Sequence, residues 1–156
     1  MKVSDILRVK GSALYTVSPD EKLSHAIETM AEFDIGSLAV MEDGKLAGML
    51  TFREVIHTAA RNAGSVAGKT VGKVMDRNPA TCSPDTELEQ VRPLMLESHT
   101  RYMPVLDGNM LMGVISFYDV AKAIVDTQNF ENKMLKAYIR DWPAEGDAES
   151  HDEHKV

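Results

Sequence analysis

The sequence predicts an α+β fold in which one strand-helix-strand-strand-helix unit is written twice and the two copies pack with pseudo-twofold symmetry. Three observations predict it. First, residues 16–58 overlie residues 81–123 without a gap, and 12 of the 43 positions are identical, among them Ser18/Ser83, Pro19/Pro84, Gly48/Gly113 and Phe52/Phe117. Such self-similarity marks a duplicated structural unit. Second, each copy holds two short apolar runs around an Asp-Gly turn: "SLAVM", "EDGK" and "LAGML" in one, "YMPVL", "LDGN" and "LMGVI" in the other. Third, these runs are flanked by segments with apolar residues at helical spacing.

Taken in order, the opening strands are expected near "YTV" and "ATC". "SPDEKL" reads as a helix start, with Ser18 as N-cap, Pro19 in the first position and Glu21 completing a capping box. Leu23, Ala26, Ile27, Met30 and Phe33 then form one apolar face. In the second copy Ser83 and Pro84 repeat the start, and Leu88, Val91 and Met95 repeat the stripe. Pro93 lies inside it and predicts a kink or an early end, because proline lacks the amide donor and crowds the preceding turn. The apolar runs read as a paired hairpin in each copy, since Asp-Gly supplies the backbone freedom a tight turn needs. A second helix follows each, with Val55, Ile56 and Ala59 in one and Val120, Ala121, Ile124 and Val125 in the other. Phe130, Met134, Leu135, Tyr138 and Ile139 line one side of a terminal helix, to be covered by the chain's own sheet or by a second subunit. About 50–60 residues bury too little surface to stand alone, so the copies are expected to pack on each other. The domain reading is 1–65 for the first unit with its N-terminal segment, 66–128 for the second, 129–142 for the terminal helix and 143–156 for a disordered acidic tail.

Composition narrows the function classes. Hydrophobic residues make up 44% and charged residues 26%, in the range of globular proteins. The formal charge is −7, and the last thirteen residues, with five acids and one lysine, hold −4 of it. The remaining 19 acids and 16 bases form an acidic body without a basic stripe, which argues against nucleic acid or an anionic membrane as the partner. No signal-type or membrane-spanning apolar run occurs, so a cytoplasmic location is expected. Cys82 is the single cysteine and is read as packing. Of the five histidines only "HDEH", His151 and His154, has ligand-like spacing, and an acidic tail supplies no supporting shell, so no metal site is expected. No nucleophile with a base and an orienting group stands out in the repeat, so the chain is not expected to be an enzyme.

The tandem units resemble a CBS-domain pair, also called a Bateman module, over roughly residues 1–140. The resemblance rests on "TVSPDEKLSHAIETMAEFDIGSLAVMEDGKLAGMLTFREV" and "TCSPDTELEQVRPLMLESHTRYMPVLDGNMLMGVISFYDV", on "VSDIL" with its echo "VGKVM", and on the closing "NFENKMLKAYIRDW". It implies a regulatory module that binds an adenosine-containing ligand between the units, AMP first among ADP, ATP, NAD(H) and S-adenosylmethionine. It also implies a homodimer acting on a separate effector protein.

Carried onto this sequence, the resemblance makes Ser116 a phosphate-facing hydroxyl and Asp119 the ribose carboxylate. An ionised carboxylate suits that role because it only accepts, and its two oxygens can take both ribose hydroxyls. Arg101 and Lys122 become candidate phosphate partners. Backbone near Asn78, Ala80 and Thr81 would hold the adenine, with Tyr102, Met103 and Pro104 beside it. The same Ser-x-x-Asp spacing is also a capping box, which stabilises a helix whether or not anything binds, and the two roles are compatible. In the first unit "TFRE" offers Thr51 and Arg53 but places Glu54 where the pattern has Asp, which weakens a ribose clamp. Tyr15, Ile35, Gly36 and Ser37 would form an adenine slot there. The expectation is a stronger site in the second unit and a weaker one in the first. The alternative is a structural or interaction scaffold whose ligand sites have decayed.

Overall fold

The computed structural model describes residues 1–11 and 13–141. In chain order they form α1 (Val3–Lys10), β1 (Thr16–Val17), α2 (Leu23–Glu32), β2 (Ser37–Glu42), β3 (Lys45–Thr51), α3 (Phe52–Arg61), α4 (Val71–Val74), α5 (Leu88–Glu97), β4 (Tyr102–Asp107), β5 (Met110–Ser116) and α6 (Phe117–Asp141). The fold is α+β and twofold repeated. One sheet has the order β1-β2-β3, with β1 parallel to β2 and β3 antiparallel to it; the other is the antiparallel pair β4-β5. The strand expected at "ATC" is reduced to one parallel bridge between Cys82 and Val105, the counterpart of the Val17–Val40 pair in β1.

The repeat extends to the irregularities. A bulge interrupts each hairpin at matching places, Val40/Met41 and Val105/Leu106. Each first helix ends on a left-handed residue, Asp34 (φ 52°) and His99 (φ 51°). Beyond them the amides of Ile35 and Thr100 donate back to the carbonyls of Met30 and Met95, which closes the helix ends as a Schellman-type cap. In the first hairpin Asp43 (φ 52°) and Gly44 (φ 76°) both turn left-handed, matching the twist of the strands they join.

Three expectations are corrected. Helix α2 starts at Leu23 with Lys22 as N-cap, not at Ser18, because the backbone of residues 19–23 is used elsewhere. Pro19 and Glu21 accept from the amides of Gly72 and Val71, while the Leu23 amide donates to Lys69. Pro93 does not shorten α5, which spans ten residues like α2. It lies on the exposed side, where water can take the carbonyl left without a helical donor. In α3 the buried residue is Thr58, whose hydroxyl donates to the Glu54 carbonyl, whereas Ile56 is exposed.

The two cores are built by exchange. Val3 and Ile6 of α1 join Leu88, Val91, Met95, Met103, Val105, Ile115 and Val120 of the second unit. Val71 of α4 and the adjacent Met75 join Val17, Leu23, Ala26, Met30, Leu38, Val40 and Leu50 of the first. Each leading segment thus packs on the unit it does not lead into along the chain. The backbone follows the same exchange, with the Val3 and Ser4 amides donating to Thr86 and Pro84. Gly113 and Gly48 permit the close approach: a Cβ at the first would press on Leu7 of α1, and one at the second on the carbonyl of Asp76. Burying Val3 and Ile6 contributes about 3–6 kcal/mol to the second core. The helix after β5 and the expected terminal helix are one unbroken helix, α6, across residue 129. Its far half exposes Phe130, Met134, Leu135 and Tyr138 by 57–64%, so the chain's own sheet does not cover that stripe. The tail from 143 onward lies outside the described residues.

Candidate functional site

Where the units meet, the structure opens two clefts. The first, about 670 Å³, combines Tyr15, Asp34, Ile35, Gly36 and Ser37 of the first unit with Arg101, Tyr102, Val114, Ser116, Phe117 and Tyr118 of the second, and Lys10 of α1. The second, about 930 Å³, combines Thr51, Phe52, Arg53, Glu54 and His57 of the first unit with Asn78, Ala80, His99, Thr100, Arg101, Tyr102 and Phe117 of the second. Local structure explains the placement. Each second helix begins directly at the end of a hairpin, so its first residues reach the interface. The Phe52 and Phe117 amides donate to the carbonyls of Gly36 and Arg101 and fix each helix start beside the loop before its own hairpin.

This pairing differs from the expected one site per unit. Ser116 lies in the first cleft with Tyr15, Ile35, Gly36 and Ser37, while Asn78 and Ala80 lie in the second with Thr51, Arg53 and Glu54. The cause is the twofold relation: equivalent residues lie on opposite sides of the axis, so a cleft across it takes unlike halves from the two units. Arg101 and Tyr102 stand at the wall between the clefts and line both. Gly36 is required there, since a Cβ would collide with the Tyr102 and Phe52 rings.

Five expected site residues, Thr81, Met103, Pro104, Asp119 and Lys122, line neither cleft. Met103 and Pro104 are buried within β4, Met103 in the second core and Pro104 with its carbonyl accepting from the Cys82 amide. Thr81 is exposed beside the Cys82 bridge. Lys122 is paired one helical turn on with Asp126, at 3.2 Å. Asp119 does not line a cleft wall directly, yet it is hydrogen-bonded to Ser116, which does.

Both acids complete capping boxes. Glu54 Oε1 accepts from the Thr51 amide at 2.7 Å and the Thr51 hydroxyl at 2.8 Å, while the Arg53 amide donates to Thr51 Oγ1. Asp119 Oδ2 accepts from the Ser116 amide at 2.8 Å, and the Asp119 amide returns a bond to Ser116 Oγ at 3.0 Å. Several amides at these helix starts are therefore already bonded within the chain, which leaves anion binding mainly to side chains. Asp119 has a further partner: Lys10 Nζ donates to Oδ2 at 2.8 Å and to the Val114 carbonyl at 2.8 Å. Burial pushes the Asp119 carboxyl up, but the Lys10 hydrogen bond, the Ser116 amide and the Lys10 charge together outweigh it and hold it below the ordinary carboxylate range. The Lys10 ammonium and the Ser116 amide both bond to Oδ2.

Sequence reasoning missed Lys10, Asp34 and Tyr118, and it named neither His57 nor His99 as a site residue, although both line the second cleft. Lys10 is 109 residues from Asp119 and carries no local signal. The lining by Asp34 and His99 was available from the repeat, because they are equivalent helix-ending residues 65 positions apart. Among the described residues no three His, Cys, Asp or Glu side chains converge as metal ligands, and no helix is long and apolar enough to cross a membrane. His151 and His154 lie outside the described residues.

Comparison with known proteins agrees with this architecture. The model of the CBS domain family matches twice, at residues 3–61 and 71–126. The chain is 33% identical over 107 residues to the CBS domain-containing protein YhcV of Bacillus subtilis, covering 68% of this chain and 75% of that protein. Its fold matches the crystal structure of the CBS-domain containing protein ATU1752 from Agrobacterium tumefaciens with a TM-score of 0.75 and 30% identity, over 79% of this chain and 98% of that one. It also matches CBSX2 of Arabidopsis thaliana, solved in complex with AMP, with a TM-score of 0.69 and 24% identity, over 81% of this chain and 98% of that one. With two family matches arranged as two exchanged, twofold-related units, the chain belongs to the CBS domain family as a tandem pair.

Proposed function

We propose that the protein is a regulatory module that senses an adenine nucleotide bound in the clefts between its two units. The observation that carries this reading is the composition of the clefts: each pairs a Ser/Thr-x-x-acid helix start of one unit with the hairpin entry loop of the other. The first cleft offers an apolar slot at Tyr15 and Ile35 for a base, and the Ser116 hydroxyl for a ribose, with the Asp119 carboxylate one hydrogen bond behind it. The second offers Arg53, Arg101, His57 and His99 around a larger volume and fits a longer phosphate chain. AMP held by CBSX2, a protein of the same fold, supports the ligand class. AMP is the first candidate, followed by ADP, ATP, NAD(H) and S-adenosylmethionine. A second copy of the chain covering the apolar stripe of α6 completes the reading, and sedimentation velocity tests it by the mass of the species.

Thermal-shift measurements with these five ligands test the proposal. A ligand at a hundred times its Kd adds about 2.7 kcal/mol, which at this chain length raises Tm by roughly 5–11 °C. Absence of a shift with all five would reject it. One observation favours the scaffold alternative: both helix-start acids already serve their helices, and Lys10 already holds Asp119. On that reading Asp119→Ala lowers stability and changes no ligand response.

A further inference from the structure

We infer that Arg101 is a phosphate-binding residue shared by the two clefts, so that an anionic ligand in one weakens binding of a second anionic ligand in the other. This rests on the reading that the clefts receive adenine nucleotides and adds how they communicate. Arg101 lines both clefts. Its repeat counterpart 65 positions earlier is Gly36, which has no side chain. A symmetric pair would have one cation per cleft from this position; here one guanidinium stands for two.

The guanidinium is exposed and, among the described residues, makes no hydrogen bond or ion pair, so it is free to swing to a ligand. Tyr102 lies against Gly36 and also lines both clefts, which makes the wall between them thin at this point. A guanidinium binds phosphate through a planar fork of donors and serves one phosphate well at a time. The clefts differ in what else they offer. The second has Arg53 of its own, whereas Lys10 in the first is already bonded to Asp119 and to the Val114 carbonyl. A nucleotide that engages Arg101 from either side therefore leaves the other cleft poorer in positive charge. Coupling of this kind is reciprocal and typically amounts to about 5–150-fold in affinity.

Calorimetric titration of the full chain with AMP and with adenosine, in wild type and Arg101→Gln, tests the inference. Wild type is expected to bind two AMP in separated steps. In Arg101→Gln the first step weakens about tenfold or more and the second stays within about threefold, so the two steps draw together. Adenosine steps do not move, and Arg101→Lys, which keeps the charge, restores the gap. Weakening of both AMP steps by like factors would show an arginine serving each cleft independently and would overturn the inference, as would unchanged steps or one AMP per chain in both proteins. The Gln variant retains the backbone carbonyl that accepts from the Phe117 amide, and its melting curve checks the fold. Failure of wild type to bind either AMP or adenosine rejects the nucleotide reading itself, a result distinct from binding without coupling.

Discussion

Ile6→Ala tests the exchange of leading segments on which both clefts depend. Ile6 belongs to the first unit by chain order but is 6% exposed in the core of the second, with Leu88, Val91, Met103 and Ile115. The substitution removes three carbons, about 2.4 kcal/mol at roughly 0.8 kcal/mol each. The cavity left behind raises the expected loss to about 3 kcal/mol, within the range of about 2–5 for such changes. At this chain length that lowers Tm by roughly 6–12 °C. The place of the loss is more diagnostic than its size. Native-state hydrogen exchange reports local opening separately from global unfolding, so amides of Met103, Val105 and Ile115 should lose protection while Val40 and Leu50 keep theirs. Val71→Ala should reverse the pattern. Loss of protection in β2 and β3 on changing Ile6 would refute the exchanged packing.

Further outcomes follow from single contacts. Gly36→Ala places a methyl group against the Tyr102 and Phe52 rings and should cost about 1–3 kcal/mol, read as a fall in Tm; an unchanged Tm would contradict the contact. Asp119→Ala removes a helix cap and the Lys10 ion pair, for a loss of about 1–2 kcal/mol at pH 7 in urea denaturation. Because the folded-state pKa of Asp119 lies below its unfolded value of about 4, this contribution is fully present above that value and is lost as pH falls through the lowered pKa. The gap between wild type and variant should therefore close on acidification below about pH 4, and a gap independent of pH would count against the ionic partner. Burial pushes the Cys82 thiol up to about 11, so at pH 8 native protein should react slowly with a disulfide reagent and urea-unfolded protein fast.

Much of the fold was legible because duplication makes each element visible twice. The Asp43-Gly44 turn, the stripe of Leu23, Ala26 and Met30, and the matching stripe of Leu88, Val91 and Met95 lie where the sequence puts them. The second hairpin instead turns at Gly108-Asn109, one residue past its expected Asp-Gly turn, because Asp107 pairs with Met110. Helix α2 was misplaced at its start because "SPDEKL" satisfies local capping rules, whereas the backbone of Pro19 and Glu21 instead pairs with residues 71 and 72. The site was half legible. Ser116, Asp119, Thr51 and Glu54 stand out by spacing, but local spacing cannot tell which halves meet across an axis. It also cannot reveal Lys10, whose partners Val114 and Asp119 come from the far end of the chain.

The most direct test of the central claim is a map of amide chemical-shift changes in the full-length protein on addition of AMP. The account predicts saturable changes at Ser37, Ser116 and Phe117 around the first cleft and at Arg53, Ala80 and Thr100 around the second. Changes absent from both sets, or confined to the exposed stripe of α6, would contradict it.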